Sequence, residues 1–255
     1  GRDRAHLQKA QELGVIDQFV TDPAEAVKDA DMVVLAIPLG AMQDVMERIA
    51  PALSADCILT DVGSAKGSVV SAAQTVFGEV PRFLVPGHPI AGTEKSGVEA
   101  SFVELFQNRR VILTPTDVSA AQAVQKVRAM WEACGADVVE MGVAHHDEIL
   151  AATSHLPHML AYALVDTLAR MDDSREIFDF AAGGFRDFTR IASSDPNMWH
   201  DICLANHDAL VKVLEAFSDD LRLLADAVRR ADSDFLKETF TRAKQARDAF
   251  CQNDK

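Results

Sequence analysis

The chain has 255 residues, of which 48% are hydrophobic, so it can bury one large core or two modest ones. It carries 25 Lys and Arg against 39 Asp and Glu, a net charge of −14. This charge argues against binding nucleic acid or an anionic membrane surface, because both need clustered cations. Its four cysteines are far apart and lack metal-site spacing, so we expect reduced thiols, no metal and a cytoplasmic protein. No apolar run is long enough to span a bilayer.

The first part of the chain alternates helical and strand patterns. Helices are predicted at residues 7–13, 23–30, 42–49, 67–77 and 120–134, and strands at 31–37, 57–60, 83–85, 110–114 and 136–140. Asp22 and Pro23 are typical of the start of a helix. This alternation predicts an α/β fold, a doubly wound parallel sheet of the Rossmann type, whose ligands lie beyond the carboxyl ends of the strands.

After Met141 only helical patterns remain, at residues 147–168, 197–230 and 233–250. We therefore expect a dinucleotide-binding domain over residues 1–142 and an all-helical domain over 143–255. One helix carries a heptad-like apolar stripe, formed by Leu210, Leu214, Phe217, Leu221, Leu224 and Val228. The stripe predicts a homodimer through the helical domain, and the alternative is that these side chains are buried within one chain.

A complete dinucleotide-binding fold begins with a strand and a GxGxxG turn, and that motif is absent from this sequence. The chain begins just before a helix, where such a fold places an acidic residue against the adenosine ribose. We therefore expect the first strand, the glycine turn and the first helix to lie outside this sequence. Asp3 favours NAD, whereas Arg2 and Arg4 leave NADP open. Ile37 and Pro38 end a predicted strand and are expected to contact the cofactor.

Residues 86–97 contain three glycines and two prolines and follow the apolar run at 83–85, so we expect a shaped loop there. His88 lies between Gly87 and Pro89, which restrict the backbone on either side. An imidazole exchanges protons near neutral pH, so His88 is the candidate general base. The alternative is a surface turn with an incidental histidine.

Ser64 lies between a predicted strand and the next helix, where its hydroxyl would meet a ligand at the edge of the sheet. The alternative is that Ser64 only caps the helix. Lys66 is interpreted as a solvated residue or a structural partner rather than a catalytic amine.

His155 and His158 are three residues apart on an apolar helix, so they share one face. Pro157 is expected to kink this helix and free a carbonyl upstream. We expect the two rings to hydrogen-bond a polar ligand, and a metal site is the weaker alternative. Residues 145–147, His-His-Asp, are interpreted as a solvated helix start.

Residues 183–190 pair two glycines with alternating aromatic and charged residues, which suggests a loop that folds over a ligand. Arg190 is expected to clamp a carboxylate, oriented by Asp187 or by Glu94. The alternative is an ordinary surface ion pair.

Four segments together resemble the prephenate and arogenate dehydrogenases of tyrosine biosynthesis, also called cyclohexadienyl dehydrogenases. They are DVGSAKG (61–67), GHPIAGTEKSGVEAS (87–101), SHLPH (154–158) and GGFRDFTRIASSDPNMW (183–199), in the order the family has them. The resemblance covers essentially the whole chain, but the family's glycine-rich nucleotide loop has no counterpart here.

The resemblance implies a Rossmann-type domain, a helical dimerisation domain and an active site in the cleft between them. It implies NAD(P)-dependent oxidative decarboxylation of prephenate to 4-hydroxyphenylpyruvate, or of arogenate to tyrosine. His88 would accept the proton of the ring hydroxyl, Ser64 would hold that hydroxyl in line with the nicotinamide, and Arg190 would grip a carboxylate. Other positions that match the surroundings of the substrate are Thr93, Glu94, His158, Gly184, Asp187 and Trp199. Inhibition by tyrosine is common in the family.

Two other functions remain open at this point. One is a different two-domain hydroxyacid dehydrogenase, which would need no GHPIAGTEKSG segment. The other is a helix-mediated dimer that binds aromatic ligands without turnover. NADH formation with prephenate separates them, and rates with arogenate and with NADP would define the preference.

Overall fold

The computed structural model describes residues 1–92 and 97–253, which pack as two compact units, Gly1–Leu210 and Val211–Lys255. The strands in these residues are β1 (Met32–Leu35), β2 (Ile58–Asp61), β3 (Leu84–Val85), β4 (Gly87–Pro89), β5 (Arg110–Leu113) and β6 (Asp137–Glu140). The helices are α1 (Arg4–Glu12), α2 (Pro23–Ala26), α3 (Met42–Ile49), α4 (Gly67–Phe77), α5 (Ala121–Ala133), α6 (Val143–Leu150), α7 (Leu156–Ala169), α8 (Ser174–Asp179), α9 (Gly183–Thr189), α10 (Pro196–Ala205), α11 (His207–Arg229) and α12 (Ser233–Asn253). The sequence therefore predicted most of these helices and strands. The domain boundary between residues 142 and 143 stays a prediction.

The strands form two three-stranded sheets, in the orders β1-β2-β3 and β4-β5-β6. The pairs β1–β2, β2–β3 and β5–β6 are parallel, as the alternation of helices and strands predicts. Successive residues of a strand point to opposite faces, so Leu59 packs with α3 and α4 while Ile58 packs with α5. Helices therefore cover both faces, which explains why these strands are apolar without alternation.

The segment after β3 differs from the expected loop. Residues 87–89 form β4, which pairs antiparallel with β5 and brings His88 opposite Ile112. Two side chains hold the backbone of Gly87, because its N–H donates to Asp61 Oδ1 at 3.2 Å and its carbonyl accepts from Lys66 Nζ at 2.7 Å. A side chain at Gly87 would also meet the carbonyl of Asp61 at 3.1 Å. His88 therefore lies on a strand that is held by long-range contacts.

The predicted helix over 147–168 is continuous but irregular. A π-helical segment, Ala151–His155, separates α6 from α7 directly before Pro157. Proline has no N–H to donate to the preceding turn, and a single widened turn accommodates this loss. The structure therefore shows a widened turn that ends at His155, and the kink and the free carbonyl expected at Pro157 stay a prediction.

Three other segments differ from expectation. Residues 183–189, expected as a loop, form the short helix α9. The predicted helix over 197–230 breaks at Asn206, between α10 and α11. The predicted helix over 23–30 ends at Ala26, and Asp29 then takes a positive φ of 58°. Asp195 caps the start of α10, because its side chain accepts from the N–H groups of Asn197 and Met198.

Among the described helices, none is both long enough and apolar enough to cross a membrane. The apolar stripe on α11 is only partly covered. Leu210 is buried, whereas Leu221 and Val228 are 55% and 66% exposed. Phe240 on α12 is also exposed. These exposed apolar side chains leave a surface that a partner could cover.

Candidate active site

His88 is buried, with 8% of its surface exposed, and a second imidazole lies beside it. The distance from His88 Nδ1 to His146 Nε2 is 2.9 Å. The other ring nitrogen of His146, Nδ1, lies 2.8 Å from Asp147 Oδ1. The three side chains therefore form a continuous hydrogen-bonded chain from β4 to the first turns of α6.

The carboxylate of Asp147 also caps α4, a helix that begins 80 residues earlier. It accepts the N–H of Lys66 at Oδ1 and the N–H of Gly67 at Oδ2, both at 2.8 Å. Burial would raise the pKa of Asp147, but the hydrogen bonds from His146, Lys66 and Gly67 outweigh this effect and lower it. The expectation of a solvated helix start at residues 145–147 is therefore wrong for its last two members, since His146 is fully buried.

Lys66 is fully buried, so its interpretation as a solvated residue is wrong and that as a structural partner is supported. Its ammonium group pairs with the Asp61 carboxylate and donates to the carbonyl of Gly87. Asp61 in turn accepts the N–H of Gly63 at 2.7 Å. Burial lowers the pKa of Lys66, and the Asp61 carboxylate opposes that effect. This ion pair joins the ends of β2 and β4 to the start of α4.

Ser64 is half-buried in the turn between β2 and α4. The residue in the cap position of α4 is Lys66, and the cap is supplied by Asp147 rather than by Ser64. The alternative role of Ser64 as a helix cap is therefore not supported. Its place beyond the carboxyl end of β2 agrees with the proposed contact to a ligand.

His155 is buried, and its Nδ1 forms a hydrogen bond with Asn206. Asn206 Nδ2 donates to the carbonyl of Asp147 at 2.8 Å and lies 3.1 Å from His155 Nδ1. An amide nitrogen is a donor only, so Nδ1 of His155 accepts and Nε2 carries the proton. This buried Nε2 has no partner with good hydrogen-bond geometry in the described part of the chain, although the backbone of Ser64 interacts with the ring and raises its pKa. Burial lowers the pKa of His155 to about 4, so the ring is neutral at pH 7.

His158 is half-buried and stacks on Trp199, with ring centroids 3.6 Å apart. Its Nδ1 lies 2.9 Å from the carbonyl of Ser154, which only accepts, so Nδ1 donates. Burial lowers the pKa of His158. The neutral ring therefore presents a lone pair at Nε2, and Trp199 fixes the plane of the ring.

Other predicted substrate residues lie on α9 and directly after it. Gly184 and Asp187 are exposed on α9, and the exposed Arg190 begins the 3₁₀ turn Arg190–Ser193. Thr93 and Glu94 lie outside the described residues, so the orientation of Arg190 by Asp187 or Glu94 stays a prediction. No group of three or more metal-ligating side chains in the described residues could hold a metal ion.

The predicted cofactor residues are placed at two positions. Ile37 and Pro38 follow the carboxyl end of β1, with Ile37 half-buried and Pro38 exposed. Asp3 caps α1 by accepting the N–H of His6 at 3.0 Å, and Arg4 is the first residue of that helix. The carboxyl end of β1 is where a Rossmann-type sheet meets its ligand, so the place of Ile37 and Pro38 agrees with the expected cofactor contact. An acidic residue at the start of α1 fits a ribose.

Both parts of the chain match models of known protein families. Residues 1–140 match the family described as prephenate dehydrogenase, nucleotide-binding domain, and residues 143–242 match prephenate dehydrogenase, dimerization domain. The chain belongs to the prephenate dehydrogenase family. Family membership confirms the resemblance drawn from the four segments and the expected order of a Rossmann-type part followed by a helical part.

Individual relatives cover nearly all of this chain. Cyclohexadienyl dehydrogenase of Zymomonas mobilis is 43% identical over 249 residues, which are 96% of this chain and 82% of the relative. Prephenate dehydrogenase of Bacillus subtilis is 37% identical, over 94% of this chain and 65% of the relative. The crystal structure of prephenate dehydrogenase from A. aeolicus in complex with hydroxyphenyl propionate and NAD+ gives a TM-score of 0.89 at 38% identity, covering 97% of this chain and 86% of that one.

The electrostatics of the site favour a neutral imidazole. Burial lowers the pKa of His88 to well below 6.5, and the charge of Lys66 acts in the same direction. At pH 7 the ring therefore has one unprotonated nitrogen that can accept a proton. A prephenate dehydrogenase needs such an acceptor next to the ring hydroxyl of its substrate.

Proposed function

We propose that this chain catalyses the NAD-dependent oxidative decarboxylation of prephenate to 4-hydroxyphenylpyruvate in tyrosine biosynthesis, with arogenate as a second candidate substrate. The observation that carries the proposal is the neutral, buried imidazole of His88 in a chain of this family. Bound NAD supplies the acceptor for the hydride that leaves the ring carbon.

His88 performs the proton transfer. It accepts the proton of the ring hydroxyl as the hydride leaves the same carbon, so that carbon becomes a carbonyl. Loss of carbon dioxide then returns an electron pair to the ring, which becomes aromatic, and the phenolate oxygen takes the proton back. Protons balance over the cycle, and aromatisation makes the step irreversible.

Ser64, His155 and His158 orient the substrate. We assign the Ser64 hydroxyl to the substrate hydroxyl and the nicotinamide edge, beside Ile37 and Pro38. His155 offers an N–H at Nε2 and His158 a lone pair at Nε2, so the pair can bind a donor and an acceptor on one polar ligand.

Arg190 is proposed to bind a substrate carboxylate through paired hydrogen bonds. Arg190→Gln removes a charged hydrogen bond, so we expect KM for prephenate to rise roughly tenfold or more with a smaller change in kcat. Steady-state kinetics at saturating NAD measure this split. Arg170→Gln, which breaks an exposed pair with Asp166 on α7, is the matched control. An unchanged KM for the Arg190 variant would contradict this assignment.

The direct test of the function is NADH formation by the purified protein, followed by absorbance. We expect turnover with prephenate and NAD, release of carbon dioxide and appearance of 4-hydroxyphenylpyruvate. Parallel assays with arogenate, with NADP and with 2- and 3-hydroxyacids define specificity. Turnover of a hydroxyacid alone would favour the other dehydrogenase class, and binding of an aromatic ligand without NADH would favour a non-catalytic dimer.

Three finer proposals accompany this function. We propose that the helical part forms a homodimer, which the exposed apolar residues on α11 and α12 and the match to a dimerization domain support. We propose a cytoplasmic location, which the four free cysteines support. We also propose inhibition by tyrosine, which carries the ring of the product, and the NADH assay with added tyrosine tests it.

A further inference from the structure

We propose that His146 and Asp147 are positioning residues that fix the tautomer of His88, leaving the lone pair at Nε2 to accept the substrate proton. This inference rests on the proposed function for its kinetic consequence. Its structural part concerns only which ring nitrogens carry hydrogen.

The assignment of protons begins at Asp147. Its carboxylate accepts the N–H groups of Lys66 and Gly67, and an ionised carboxylate has no proton to donate. His146 Nδ1, 2.8 Å from Oδ1, must therefore carry the proton of that hydrogen bond. The neutral ring of His146 then has its lone pair at Nε2.

The same donor–acceptor reasoning assigns the proton of His88. Its Nδ1 lies 2.9 Å from the lone pair at His146 Nε2, so a hydrogen bond there requires a proton on His88 Nδ1. The neutral ring of His88 is then unprotonated at Nε2. Without an acceptor at Nδ1, an imidazole in water populates both tautomers, and one of them has no base at Nε2.

A doubly protonated His146 would reverse this order. Its Nε2–H would donate to His88 Nδ1, and His88 would carry its proton at Nε2. That state would leave His88 no lone pair at Nε2 to accept the substrate proton, so it does not fit the proposed function. The chain from Asp147 through His146 therefore supports one tautomer of His88.

The hydrogen-bonded side chains of His88, His146 and Asp147 also act during proton transfer. When Nε2 of His88 takes the substrate proton, the ring becomes cationic and its Nδ1–H becomes a stronger donor to His146. The carboxylate of Asp147 lies at the far end of the chain and offsets part of that charge. No further reactant is needed, because the proton returns to the phenolate oxygen.

The first experiment compares three variants under identical conditions. His146→Leu removes the acceptor, and we expect kcat to fall about a hundredfold while KM changes less than about threefold. His146→Gln places an amide oxygen where it can accept from His88 Nδ1, and we expect it to recover about tenfold. His145→Leu changes the exposed neighbouring histidine and is the matched control.

The second experiment needs no substrate. Long-range ¹H–¹⁵N NMR of histidine-labelled protein distinguishes protonated from unprotonated ring nitrogens, with His88 assigned by its loss in His88→Asn. We expect a proton at Nδ1 and none at Nε2 in the unchanged protein, and a mixture in His146→Leu. A folded His146→Leu with the kcat of His145→Leu, or a proton at Nε2 of His88 in the unchanged protein, would overturn the inference. A protein that forms no NADH refutes the proposed function, while the spectrum still decides the tautomer.

Discussion

The imidazole of His88 is neutral because its surroundings disfavour a positive charge, not because of its immediate sequence. Burial lowers its pKa first, and the charge of Lys66 lowers it further. The same burial removes water that would compete for the lone pair. A neutral base at a buried position suits removal of a hydroxyl proton.

Replacement of this imidazole tests the role directly. His88→Asn keeps a polar side chain of similar reach but cannot accept a proton at neutral pH. We expect kcat to fall by about two to four powers of ten, the usual contribution of a positioned base, with little change in KM. Single-turnover kinetics with prephenate measure the chemical step. Near-normal turnover would remove His88 from the proposed role.

The pH dependence of activity has a definite sign. Only neutral His88 accepts a proton, so activity is lost as the pH falls through its pKa, which lies below 6.5. We expect kcat/KM to be level from pH 7.5 to 6.5 and to decline only at lower pH. Circular dichroism at each pH controls for acid unfolding. An acid limb centred above pH 7 in the folded protein would contradict the lowered pKa.

Sequence patterns identified His88 because glycines and prolines surround it, but they missed the two residues that hold it. His146 and Asp147 follow an exposed histidine, and the triplet has the composition of a solvated helix start. Their contacts are to residues 58 and 81 positions earlier. One feature of the sequence does indicate that His146 is buried. It precedes the buried Leu150 by one helical turn and so lies on the same face of α6.

At the scale of elements, a buried ion pair holds β4 against β2 and α4. Lys66 reaches both Asp61 and the carbonyl of Gly87 from a position without solvent exposure. Two charges out of water are costly unless their hydrogen bonds are satisfied, and here backbone groups satisfy several of them. The strand that carries His88 therefore depends on an ion pair that the active-site chemistry does not use directly.

This dependence gives a prediction for stability. Lys66→Met leaves Asp61 buried without its cation, so we expect the free energy of unfolding to fall by about 3–5 kcal/mol. Lys244→Met breaks an exposed pair with Asp248 on α12 and should cost less than about 1 kcal/mol. Urea unfolding at one fixed protein concentration compares the two variants. Equal losses would mean that the buried pair contributes no more than a surface pair.

Local patterns predicted some elements to the residue and others not at all. The helices over 42–49 and 67–77 were predicted with their observed bounds, because their apolar residues recur with helical spacing against one core. The short strand β4 and the break at Asn206 were not predicted. Their causes are contacts with residues far away in the chain, such as Asn206 with the carbonyl of Asp147. The helix or strand propensity of a residue carries no information about contacts with residues far away in the chain.

At the scale of the whole molecule, the charge of −14 opposes an anionic substrate, so recognition depends on individual cations such as Arg190. The same charge sets a limit on self-association, since two copies repel unless apolar surface is buried between them. The exposed side chains of Leu221 and Val228 offer such surface on one stripe of α11.

We expect the protein to elute with twice the mass of one chain in size-exclusion chromatography with light scattering. Leu221→Glu combined with Val228→Glu would bury charge in the interface, so we expect this variant to elute as a monomer. Lys212→Glu lies on the opposite side of the same helix and is the matched control, expected to remain dimeric. A double variant that stays dimeric would place the interface elsewhere. A monomeric control would instead show that added negative charge alone separates the chains.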